Sequence, residues 1–155
     1  MTVSDRLTEL GIELPAVAAP VAAYIPAKAY GHVVQTSGQL PFVAGALPQT
    51  GKVGDGHGLV PAEDAKDLAR TSALNALAAA ADAVGGVDRI VGVLKVTGFV
   101  ASAPGFTGQP AVINGTSEVL GEIFGEAGRH SRSAVGVAEL PLDSPVEVEV
   151  SFLFE

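Results

Sequence analysis

The stretch from Arg129 to Val150, RHSRSAVGVAELPLDSPVEVEV, concentrates the side chains with the most chemistry in them. Arg129, His130 and Arg132 crowd its start, and Glu147 and Glu149 stand near its end. An arginine fork grips carboxylate or phosphate, and a glutamate can take up and return a proton. Anion capture and acid–base chemistry could therefore share a site built from this one tail.

Each of these residues also has a plainer reading. Arg132 could be a surface arginine balancing Glu139 or Asp143. Glu147 and Glu149 alternate with valines, as solvated positions on a half-buried strand do. His130 lies at a helix-to-strand junction, where a histidine is more often structural than catalytic. Ser37 follows a strand and precedes Gly38, which suits a turn-capping hydroxyl; no Ser-His-Asp arrangement can be argued to make it a nucleophile. His32, His57 and His130 are scattered without metal-ligand spacing, so no metal site is expected. The run Gly45 to Lys52 imitates a phosphate loop, but five residues separate its glycines and Val53 stands where Ser or Thr should bind magnesium. Asn114-Gly115-Thr116 is a glycosylation sequon by pattern only.

Composition narrows the function classes. With 155 residues, 48% hydrophobic and 17% charged, the chain is long and apolar enough for one packed domain, 1–155. A net charge of -8 repels nucleic-acid phosphates over most of the surface, so no nucleic-acid partner is expected. The absence of cysteine removes disulfides, thiolate nucleophiles and zinc-thiolate sites. No apolar run has the length and purity of a membrane span, and the N-terminus is too charged for a signal peptide, so a cytoplasmic protein away from membranes is expected.

The elements that must position these residues follow from periodicity. A short helix capped by Ser4, then an extended linker through Pro15 and Pro20, reads as an N-terminal appendage over residues 1–20. Two strands follow from Val21 to Gln39, with a turn near Tyr30 and Gly31. The loop at 42 to 58, rich in Gly and Pro, reads as mobile surface. A helix starting with Pro61 as its first residue runs to about Val84, where Gly85-Gly86 stops it. A β-branched strand covers 88 to 101, a second helix about 110 to 126, and two strands about 132 to 140 and 146 to 154.

This order predicts an α+β domain of two layers, one mixed β-sheet with both long helices on one face. Alternation puts Val146, Val148, Val150, Phe152 and Phe154 under the helices. It would put Val135 and Val137 there too, leaving Arg132, Ala134, Gly136 and Ala138 on the other face. Small residues beside carboxylates suit a face covered by another subunit, so an oligomer is expected.

Taken together, Tyr24, the strand ending Thr36-Ser37-Gly38-Gln39-Leu40-Pro41, the loop closing Thr50-Gly51-Lys52-Val53, Asn114, Arg132-Ser133 and the tail Leu140-Pro141 to Glu149 carry a family resemblance. In order and approximate spacing they resemble the Rid family, also called RidA or YjgF, over about residues 20 to 155. The resemblance implies a chorismate-mutase-like fold, a homotrimer and clefts between subunits. It also implies hydrolysis of small 2-imino acids to 2-keto acids and ammonia, with no cofactor. On that pattern Arg132 would grip the carboxylate of the substrate and Glu147 would position or activate water. Tyr24, Ser37, Gly38 and Asn114 would line the pocket, with Ala134 where deaminase members often carry cysteine. The longer loop and the N-terminal helix mark a divergent branch.

Strand geometry constrains how such a site could be assembled. If Arg132 begins one strand and Glu147 the next, antiparallel one, about eight residues at roughly 3.3 Å each, near 26 Å, separate them. The expectation is that Glu147 with Tyr24, Ser37 and Gly38 faces Arg132 of a neighbour. A small-carboxylate sensor using Arg132 without catalysis is the alternative from another class.

Overall fold

The computed structural model describes residues 1–17 and 23–155. Its first helix, α1, spans Val3–Glu9. The cap is Thr2 rather than Ser4: the Thr2 hydroxyl accepts the Asp5 backbone N–H, and the Asp5 carboxylate accepts that of Thr2. Ser4 acts elsewhere, its N–H and hydroxyl both donating to the Asp88 carboxylate, at 2.7 and 2.8 Å. Leu7 is buried in the core and the Arg6 guanidinium donates to the Glu122 carbonyl at 2.9 Å. The helix is thus docked on the domain and is no appendage. Pro20 and Val21, expected in the linker and the first strand, lie outside the described residues.

Strands β1 (Ala27–Tyr30) and β2 (Val33–Thr36) pair antiparallel across the turn expected near Gly31. The loop beyond them, expected to be mobile, is pinned. Val53 is wholly buried, its N–H donating to Ala101 at 2.7 Å and its carbonyl accepting from Ala103 at 2.9 Å. The Gly51 N–H donates to the Asp143 carbonyl at 2.8 Å. Glycines that suggested freedom instead let the chain fold back tightly enough to seat one valine.

Helix α2 (Ala62–Val84) begins just after Pro61, which stands at the cap and not within the first turn. Glu63 and Asp64 lie where the positive end of the dipole favours carboxylates. Ala65, Ala69, Ala73, Ala76 and Ala80 form a fully buried stripe at helical spacing. Small side chains in that stripe shorten the interaxial distance to whatever packs there. Strand β3 (Ile90–Ala101), helix α3 (Gln109–Phe124), strand β4 (Ser131–Val137) and strand β5 (Val146–Phe154) complete the chain.

The sheet order is β1-β2-β5-β3-β4, with β3 and β4 parallel and the other neighbours antiparallel. It is the mixed sheet expected, and α2 and α3 cover one face. Val146, Val148, Val150 and Phe152 are buried beneath them, as alternation predicts.

Two expectations about β4 fail. It does not neighbour β5, because β3 lies between them; α3 carries the chain across as a parallel crossover requires. Its faces are also reversed. Arg132 and Ala134 stand in register with Val96 and Gly98 on the helix side, whereas Val135 is 44% exposed on the open face. The physical reason is room: α3 lies so close that a side chain on Gly98 would strike Ile113 and one on Gly136 would strike Gln109. Only small residues, or one that reaches out past the helix as Arg132 does, fit that side.

Candidate active site

The helix side of β4 holds the first cluster. Arg132 Nη1 donates to Asn114 Oδ1 at 2.8 Å and to Ser117 Oγ at 3.2 Å, and Nη2 donates to the Pro110 carbonyl at 3.3 Å. Asn114 and Ser117 lie one helical turn apart on α3, so both reach the same point. His130 and Arg132 are two apart in an extended segment, which puts them on one side. His130 Nε2 accordingly lies 2.9 Å from Ser117 Oγ, and its Nδ1 lies 2.6 Å from the Gly128 carbonyl. Ser117, His130, Arg129 and Arg132 line an open cleft of about 370 Å3.

The plainer reading of Arg132 finds no support here. Glu139 pairs with Lys52 at 2.9 Å, and among the described residues no carboxylate pairs with Arg132. Ala134 continues the same face and packs against the core beside Gly98.

The second cluster is on the opposite face, where β2 runs out beside β5. Gln39 exchanges backbone hydrogen bonds with Val148 at 2.8 and 3.0 Å, which lays Gly38 against Glu147. A side chain on Gly38 would land on the Glu147 carboxylate, so glycine is required for the carboxylate to lie there. Glu147 is half-buried, and its carboxyl is held above the usual range, first by that burial and then by the charge of Glu149. A carboxyl so tuned can exchange a proton nearer neutrality than an exposed one.

Ser37 acts as a structural hydroxyl, donating to the Ile25 carbonyl at 2.7 Å while its N–H donates to Pro26 at 2.8 Å. It thereby ties down the segment carrying Tyr24, a residue 54% exposed. Tyr24, Ser37, Gly38 and Glu147 thus share one region, and Asn114, Arg132 and Ala134 share another.

Within one chain the two clusters do not meet. Arg132 stands opposite Val96 under the helices, while Glu147 stands opposite Phe99 on the open face, on the far side of β3. Ser117 was not among the residues expected from the sequence, since a serine within a helix carries no pattern that marks it out.

Comparison with known proteins identifies the fold. Residues 4–154 match the family described as "YjgF/chorismate mutase-like, putative endoribonuclease". The chain belongs to this YjgF-like, or Rid, family. A curated relative, Protein TCP17 of Trypanosoma cruzi, is 41% identical over 150 residues, covering 95% of this chain and 91% of its own. A crystal structure from Shewanella oneidensis, described as a "putative endoribonuclease", superposes with TM-score 0.92 at 33% identity, over 99% of this chain and 100% of that one. TdcF of E. coli, crystallised with bound serine, superposes with TM-score 0.64 at 27% identity, over 90% of this chain and 94% of its own. The two-layer mixed sheet is therefore the chorismate-mutase-like fold expected of the YjgF family.

Proposed function

We propose that this protein hydrolyses small 2-imino acids to 2-keto acids and ammonia, in clefts between the subunits of a homotrimer. The observation that carries the reading is Arg132, held on three sides by uncharged acceptors and, among the described residues, paired with no carboxylate. Serine bound to TdcF supports a small ligand bearing a carboxylate. Arg132 grips that carboxylate, with Asn114 fixing the guanidinium. Glu147 of a neighbour, backed by Gly38, faces the reacting carbon, and Tyr24 closes the pocket from the same neighbour.

The chemistry needs little more. Water adds to the carbon of the protonated imine, C=NH2+, while Glu147 takes one of its protons, giving a neutral carbinolamine. Glu147 returns that proton to nitrogen; the C–N bond then breaks and the C=O bond forms as the hydroxyl proton passes to Glu147, and ammonia carries that proton away as ammonium. A carboxyl held above its usual range suits these transfers. No nucleophile or cofactor is required, in keeping with a hydroxyl on Ser37 already engaged.

Endoribonuclease activity, carried in the family description, is opposed by the net charge of -8. The test is ammonia release from freshly generated 2-iminobutyrate. Wild type should be active, and Glu147→Gln should lose about 100- to 10,000-fold in kcat. Full activity in Glu147→Gln would remove the proposed role, and an inactive wild type that still binds 2-ketobutyrate would favour a carboxylate sensor.

A further inference from the structure

The hydrogen bonds around Arg132 run in one direction. The Gly128 carbonyl can only accept, so at 2.6 Å His130 Nδ1 must carry the hydrogen. In the neutral ring Nε2 is then an acceptor, and the Ser117 hydroxyl, 2.9 Å away, donates its hydrogen there. Only lone pairs remain on Ser117 Oγ to face the guanidinium, and Arg132 Nη1 donates to it at 3.2 Å. With a neutral His130 ring, each group in the chain from Gly128 through His130 and Ser117 to Arg132 has a single part open to it.

We infer that Ser117 and His130 are a positioning pair that sets the orientation of the Arg132 guanidinium for carboxylate binding. The inference rests on the reading of Arg132 as the carboxylate grip. Of five guanidinium hydrogens, Asn114 and Ser117 take both on Nη1, and Pro110 takes one on Nη2. Among the described residues, Nε–H and one Nη2–H are left, the number a carboxylate accepts in a two-point contact. Without Ser117, the guanidinium is free to turn about its long side chain. Without His130, the Ser117 hydroxyl loses the acceptor that keeps its lone pairs toward Arg132. Neither residue touches substrate in this account; both act through the arginine.

The experiment compares affinity for 2-ketobutyrate by titration calorimetry, and KM and kcat for 2-iminobutyrate, in the full-length protein. Ser117→Ala and His130→Phe should each weaken binding and raise KM by about tenfold, the scale of one hydrogen bond to a charged group, with kcat within about twofold of wild type. Ser117→Thr keeps the hydroxyl and His130→Gln keeps an acceptor in place of Nε2, so both should recover most of the loss. If Arg132→Ala abolishes binding but Ser117→Ala and His130→Phe bind as wild type does, the positioning pair is refuted and the carboxylate site stands. Equal weakening in Ser117→Ala and Ser117→Thr would refute it as well, since packing would then be the cause. If Arg132→Ala binds like wild type, the functional reading of Arg132 falls, and this inference with it.

Discussion

Glu147 shows how one residue carries both a stability and an activity consequence. Burial disfavours its ionised form, so the native state keeps its proton to higher pH than the unfolded chain does. The stability linked to that proton is present at acid pH and lost as pH rises through the ordinary carboxylate range to the raised value. Glu147→Gln, which has no charge to bury, should therefore melt higher than wild type at neutral pH, with the difference shrinking on acidification. Thermal melts of both proteins across the acid range check this; a difference that grows on acidification contradicts it. Gly38 gives the complementary prediction. A methyl there meets only the flexible end of Glu147, so Gly38→Ala should keep the fold while displacing the carboxylate, and kcat should fall at least about tenfold. A crystal structure of that variant, with assays of imine hydrolysis, decides the matter.

At the scale of elements, the contact between α2 and α3 sets the place of the arginine cluster. Asn114-Gly115-Thr116, which matches a glycosylation pattern, has a packing explanation instead. Asn114 accepts from Arg132, Thr116 donates to the Ala69 carbonyl at 2.8 Å, and Gly115 lies directly on the backbone of Lys66. Gly115→Ala should push the helices apart and cost about 1 to 3 kcal/mol in chemical denaturation. It should also weaken carboxylate binding, because Asn114 moves with the helix. The elements themselves were legible in the sequence: periodicity located both long helices, and the valines of β5 alternate into the core as read. The side of β4 was not. Val135 and Val137 follow the apolar alternation, but the tight approach of α3 reserves the inner face for Ala134, Gly136 and the outreaching Arg132. Strand order was also hidden, since the turn at Pro141–Asp143 suggests a hairpin whereas the chain passes across β3. Arg132 and Glu147 were legible as candidates because their charges stand out, and Asn114 only through the family resemblance; Ser117 was not, because a helix-borne serine has no distinguishing pattern.

For the whole molecule, the decisive matter is how the two clusters come together. The open face of the sheet shows Leu94 and Val135 at 47% and 44% exposure, apolar surface suited to cover by another copy. Light scattering on the purified protein should give three times the 15.6 kDa chain mass. If each cleft takes Arg132 from one subunit and Glu147 from the next, mixing matters. Refolding inactive Arg132→Ala and Glu147→Gln variants together at equal ratio should recover about a quarter of wild-type activity, because that fraction of clefts pairs two intact residues in a cyclic assembly. Recovery of none would show that a single subunit must supply both.

The position of β5 between β2 and β3 also bears on biosynthesis. Both strands that it joins emerge from the ribosome long before it does, and each waits with an unpaired edge. The sheet exists only as two fragments, a hairpin and a crossover unit, until Val146–Phe154 has been made. Stalling or truncation just ahead of Val146 should therefore yield a chain prone to edge-to-edge aggregation, and one that leans on holding chaperones more than a domain of this size otherwise would.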